Sequence, residues 1–184
     1  MEAFALNAAV IADTHAPASE RAVALCWLFH LVGDMHQPLH AADWRSATYP
    51  EGDRGGNLQY VLDPQAKTPL SLQSYWDQAV QRSTEQDKVI ARARQLEAKI
   101  AKPARTALDG KERTERFHAW VEESFALAKS DVYRSDLKAS PDEKNASPLS
   151  DAYAARSTAI AEERLTLASY RLADLLTELL GDNR

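Results

Sequence analysis

An all-α single domain is the fold class this sequence predicts, and three observations carry it. Apolar residues recur at helical spacing near 19–35, 111–134 and 150–180. Strand-like alternation is confined to Leu58, Tyr60 and Leu62, so at most a short extended or hairpin segment is expected near 57–63. Only six glycines, and no Gly/Ser or Pro-rich linker, interrupt the 184 residues, a length that suits one domain with a sizeable core.

Residues 2 to 13 have helical composition, with Phe4, Leu6, Val10 and Ile11 as an irregular apolar face, and Met1 opens into them without a capping residue. Ala16-Pro17-Ala18-Ser19 breaks the pattern. A second helix follows from about Ser19 to Met35, and its apolar residues Val23, Leu25, Leu28, Phe29 and Val32 surround it, which predicts a mostly buried element. Ala41 to Gly56 reads as a loop. Leu72 opens a helix reaching about Arg82, in which Trp76 is expected to pack in the core rather than touch substrate.

Glu85 to Ile100 is a charged helix with Val89, Ile90, Ala93 and Leu96 expected inward and a solvated outer face. After a turn around Leu108-Asp109-Gly110, residues 111 to 134 form a helix containing Phe117, Trp120, Val121, Phe125 and Leu127, with His118 at the surface. Lys138 to Pro148 is a polar loop. Ser150 to Leu180 is a long helix with Ile160, Leu165, Leu167, Leu172, Leu175, Leu176 and Leu179 on its apolar side, and Gly181 is expected to stop it.

Composition narrows the function classes. The single cysteine, Cys26, excludes an internal disulfide framework. No segment is long and apolar enough to span a bilayer, and the N-terminus lacks the basic start and unbroken apolar run of a signal peptide. A formal net charge of −5 argues against broad electrostatic attraction to nucleic acid.

The stretch His30 to His40 concentrates the chemistry. On a helix His30 and Asp34 lie four apart and share a face, where imidazole nitrogen and carboxylate oxygen can reach one ion; a surface ion pair or a hydrogen-bonded core histidine satisfies the same spacing. Cys26 shares the face of His30, as a further ligand or as a small buried hydrophobe. Pro38 ends the helix, so His40 lies past a bend and need not share that ion. Two metal positions are conceivable.

His-Leu-Val-Gly-Asp (30–34), His-Gln-Pro-Leu-His (36–40), Asp-Arg-Gly-Gly-Asn (53–57) and Trp-Asp (76–77) together resemble the S1/P1 nuclease family in order and spacing. The run Trp120-Val121-Glu122-Glu123-Ser124 resembles its Trp-xx-Glu-Ser segment, and the C-terminal helix also matches.

The resemblance implies a multi-helix domain of the phospholipase C/P1 nuclease type with up to three zinc ions at the bottom of a cleft. It also implies hydrolysis of single-stranded RNA and DNA and removal of 3'-phosphate from nucleotides. Clustered zinc acidifies a bridging water and clamps phosphate oxygens. By resemblance, His30 and Asp34 are ligands of the paired ions, with Asp34 bridging, while His40, Gln73 and Asp77 stand at the third ion. Gln73 occupies a position where the family usually has histidine, and an amide oxygen is a poor zinc ligand. Asp53, Gly55, Gly56 and Asn57 match the region that lines a nucleobase pocket, although a turn before a strand explains them equally well.

The remaining family ligands are an N-terminal tryptophan amine and upstream His and Asp residues, which are not present from Met1 onward; His15 matches none of them. The expectation is a domain over 1–184 lacking its N-terminal portion, with partial zinc occupancy and weak or no activity. The alternatives are a non-catalytic helical remnant with a partial zinc site and a helical interaction domain with His36 and His40 as surface residues. The family is secreted or periplasmic, which the N-terminus does not reflect. Expected partners are single-stranded nucleic acid or nucleotides, no membrane, and self-association through an exposed apolar patch beside the first two helices.

Overall fold

Apolar side chains from four helices meet in one buried cluster of the computed structural model, which describes residues 2–65, 68–100 and 112–181. The helices are α1 (Glu2–Ala12), α2 (Ala18–His36), α5 (Arg113–Leu127) and α6 (Asp151–Gly181). Phe4 lies against Phe117, with ring centroids 3.5 Å apart, and Leu28, Trp120 and Leu175 close around them. Burying such side chains contributes about 1.5–3 kcal/mol each. The turn around residues 108–110 lies outside the described residues.

A second cluster joins a 3-10 turn (Pro38–Ala41), a small sheet, α3 (Leu72–Asp77) and the first half of α6 through Leu39, Val61, Leu72, Trp76, Tyr153 and Ile160. The sheet has β1 (Tyr60–Leu62) at its centre, antiparallel to β2 (Pro69–Ser71) and parallel to β3 (Ser147–Pro148). Trp76 is buried and donates from Nε1 to Tyr153 Oη at 3.1 Å, the core role expected of it. The fold is mostly helical, with strand content as small as the sequence implied; β3 falls inside a stretch read as loop.

Several expectations are corrected. α3 stops at Asp77, short of Arg82, and α5 gives way at Ala128 to a π turn (Ala128–Val132). α2 is not mostly buried: Ala24, Leu28, Val32 and His36 face the cluster, while Val23 and Trp27 are more than half exposed and Cys26 is also open. A helix apolar all round does not reveal which stripe its neighbours will cover.

On α4 (Gln86–Lys99), Leu96 is buried but Val89 and Ile90 are exposed, because Arg92 and Lys99 hold the helix by pairing with the buried Glu162. Phe125 and Leu165 are exposed as well, Phe125 lying under the Lys129 ammonium. α6 runs to Gly181, the last of the described residues and the position where its end was expected.

Candidate metal-facing site

The site depends on how α2 ends. Gln37 takes extended backbone angles ahead of Pro38, its side-chain oxygen accepts from Leu39 N at 2.6 Å, and the chain turns into the 3-10 segment that carries His40. The last carbonyls of α2, which have no partner within the helix, are satisfied from elsewhere: Ser124 Oγ donates to Met35 O at 2.6 Å and Arg164 Nε to His36 O at 3.2 Å.

His36 points inward, donating from Nδ1 to Val32 O at 2.7 Å and accepting at Nε2 from Arg171 at 2.9 Å. Burial, reinforced by the Arg164 charge, pushes its pKa down to about 3, so it is a neutral structural residue and not a surface one. Glu123 receives both Arg164 and Arg171; burial pushes its carboxyl up, but the hydrogen bonds from the two arginines outweigh this and hold it below the usual range.

With this end fixed, the sequence-derived ligand candidates form one continuous line. His30 Nε2 lies 3.2 Å from Asp34 Oδ2, and Asp34 Oδ1 lies 3.4 Å from His40 Nδ1. His40 Nε2 is 2.9 Å from Gln73 Nε2, which also donates to Asp77 Oδ1 at 3.0 Å. His40 therefore lies past the bend as expected but still faces the carboxylate that His30 faces. Gln37, which sequence reasoning passed over, donates from Nε2 to Asp77 Oδ1 at 3.0 Å.

The line is open to solvent, with the His30 side chain 62% exposed, whereas Gln73 is buried. Beside it, Gly33, Gln37, Pro38, Trp76, Asp77 and Leu165 help line a mostly apolar cleft of about 200 Å³.

The donor types suit zinc, but their arrangement is a chain of pairs. Among the described residues no group of three or more His, Cys, Asp or Glu side chains is placed to hold an ion. As they stand, these residues do not fit a three-ligand zinc site.

The Asp53–Asn57 loop packs directly on this line. Gly55 and Gly56 have φ of 61° and 82°, and a Cβ on Gly55 would sit 2.7 Å from Leu39 O, one residue before His40. Gly56 O accepts from Gln73 N at 3.2 Å. Asp53 is fully buried: its carboxylate accepts from Trp44 N at 3.0 Å and from Tyr133 Oη at 3.0 and 2.9 Å. Burial raises its pKa above the ordinary carboxylate value.

Asp53 thus braces the loop from inside. Asn57 is exposed, and its Nδ2 donates to Arg54 O at 2.8 Å, the turn-stabilising role. Asp43, also missed from the sequence, accepts from Arg54 N at 2.8 Å and pins the same turn.

A family model described as S1/P1 Nuclease matches residues 2–181. Comparison with curated proteins gave no match.

Proposed function

The chain belongs to the S1/P1 nuclease family, and from that premise we propose that it is a zinc-dependent phosphodiesterase domain for single-stranded RNA, DNA and 3'-nucleotides whose described residues supply only part of the metal site. The observation that supports this is the Asp34 carboxylate, which turns one oxygen to His30 and the other to His40. A carboxylate so shared is suited to bridge two positions and hold their imidazoles in register.

This chain's own part is to orient donors and substrate. α2 and the 3-10 turn fix the imidazoles. The Asp53-braced loop holds Asn57 at the surface, its Nδ2 given to Arg54 O and its Oδ1 able to accept from a base edge. With pairs in place of triads, the 184-residue chain alone is expected to bind zinc weakly and cleave little.

The Gln73 amide, set between His40 and Asp77, favours a second reading: a scaffold that keeps the family fold without catalysis. Zinc titration by calorimetry beside a single-stranded RNA cleavage assay separates the two. Weak zinc binding that Asp34→Asn removes supports the first reading. No zinc binding and no retention of single-stranded oligonucleotide support the second. Robust zinc-dependent cleavage by the chain alone would overturn the partial-site reading.

A further inference from the structure

One NH2 group holds the inner end of the line together. Gln73 Nε2 lies 2.9 Å from His40 Nε2 and 3.0 Å from Asp77 Oδ1, so its two hydrogens serve two acceptors. The opposite amide orientation would set Gln73 Oε1 against the Asp77 carboxylate with no hydrogen between them. Since Gln73 donates, His40 Nε2 accepts, and the proton of the neutral ring sits on Nδ1, facing Asp34 Oδ1 at 3.4 Å. Asp77 Oδ1 receives a second amide, that of Gln37, at 3.0 Å. Gln73 itself is only 8% exposed, and its backbone N–H is tied to Gly56 O.

The lone pairs engaged here are those with which an imidazole and a carboxylate would bind a metal. An ion entering between His40 and Asp77 would have to displace both hydrogen bonds and gain only a weak amide oxygen in return. We propose that the Gln73 amide is a resident substitute for a divalent cation: a neutral clamp that joins the 3-10 turn to α3 and makes this corner of the domain independent of metal. The clamp selects one tautomer of His40 and so turns its Nδ1 proton toward Asp34 Oδ1. It stands apart from the proposed catalytic role, since its readouts are ring protonation and stability, not cleavage.

The test uses the full 184-residue chain. Long-range proton–nitrogen NMR of the His40 ring, in chelator and then with zinc added, should show the Nδ1-protonated neutral tautomer in both. A ring protonated at Nε2, or one whose Nε2 resonance moves on zinc addition, would overturn the clamp.

Gln73→Glu replaces the two donors with acceptors and sets a third anionic or imidazole donor beside His40 and Asp77. Its unfolding midpoint in chelator should fall by roughly 4–8 °C relative to wild type, on the scale of two lost hydrogen bonds. Added zinc should recover most of that loss. A variant with the wild-type midpoint in chelator would count against the clamp, and so would a wild-type chain that needs zinc to reach its own midpoint. Should Gln73→Glu not fold, the wild-type tautomer alone decides.

Discussion

Arg164 Nε donates to the carbonyl oxygen of His36 at 3.2 Å, tying the middle of α6 to the end of a helix 128 positions earlier in the chain. The same guanidinium reaches Ser124 Oγ at 3.0 Å and Glu123 at 2.7 Å. Arg171 completes the group over the face of Trp120, 5.2 Å from its centroid. The line of candidate ligands begins at His30, six residues before His36, and resumes at His40, so this buried ionic knot sets the direction in which the line runs.

Arg164→Met should therefore destabilise the domain by about 2–3 kcal/mol, somewhat below the usual loss for breaking a fully buried pair, because Glu123 is partly exposed and keeps Arg171. Urea unfolding followed by circular dichroism measures it. A midpoint equal to wild type would show that the knot is dispensable.

Acid should unfold the domain through His36 and Glu123 together. The His36 pKa falls from 6.5 to about 3 on folding, so below pH 6.5 the unfolded chain binds a proton that the folded chain refuses. Its contribution is complete above pH 6.5 and is lost as pH falls toward 3, on the order of 5 kcal/mol in all. Glu123 is held below its ordinary 4.5 and acts in the same direction, its share lost as pH falls below that value. Thermal midpoints should hold from pH 8 to about 6.5 and drop steadily from there to pH 4. A flat profile across pH 6.5 to 4 would exclude a buried neutral His36.

Asp34→Asn should leave the fold intact, since the side chain is only half-buried and the amide is isosteric, and weaken zinc binding at least about 10-fold because both imidazoles lose their shared anion. Gln73→His should act in the opposite sense, tightening zinc by about 10–100-fold at the His40 and Asp77 position, yet without restoring cleavage. Calorimetry on both variants beside the RNA assay checks this, and zinc affinity unchanged by Asp34→Asn would remove that residue from the site.

Gly55→Ala should lower stability by about 1–3 kcal/mol, because its φ of 61° disfavours a side chain and the added methyl would meet Leu39 O. The NMR signals of His40 and Gln73 should shift with it. Perturbation confined to the loop would mean that the loop does not position the line.

Val23→Lys together with Trp27→Lys should reduce binding of an apolar-surface dye and any concentration-dependent association, since these two side chains are large, apolar and more than half exposed on α2. Equal dye binding by the double variant and wild type would locate the apolar surface elsewhere.

Helical periodicity identified most of the described helices because each buries a stripe at the 3.6-residue spacing. The sheet was harder to see: β1 and β2 are three residues each and β3 only two, too short for alternation to emerge. Burial on α2 and α4 was misjudged for a related reason, since the covered stripe is set by partners remote in sequence. The sequence pointed to His30, Asp34, His40, Gln73 and Asp77 as site residues, and the fold brings them into one line. That Asp34 faces both histidines, and that Gln73 spends both amide hydrogens on its neighbours, follow from a bend and a helix contact that no local spacing encodes.

α6 gives Tyr153 and Ile160 to one apolar cluster and Ala168, Leu175 and Leu179 to the other. A 31-residue rod about 46 Å long therefore runs through both halves. Neither half can open fully without fraying the helix they share, so amide exchange along α6 should report the global opening event. α4 is different. It leans on α6 through Leu96 and the two cations on Glu162, and contributes no side chain to either cluster. It can peel away as a small independent unit, exchanging its amides orders of magnitude sooner while the two apolar clusters stay closed.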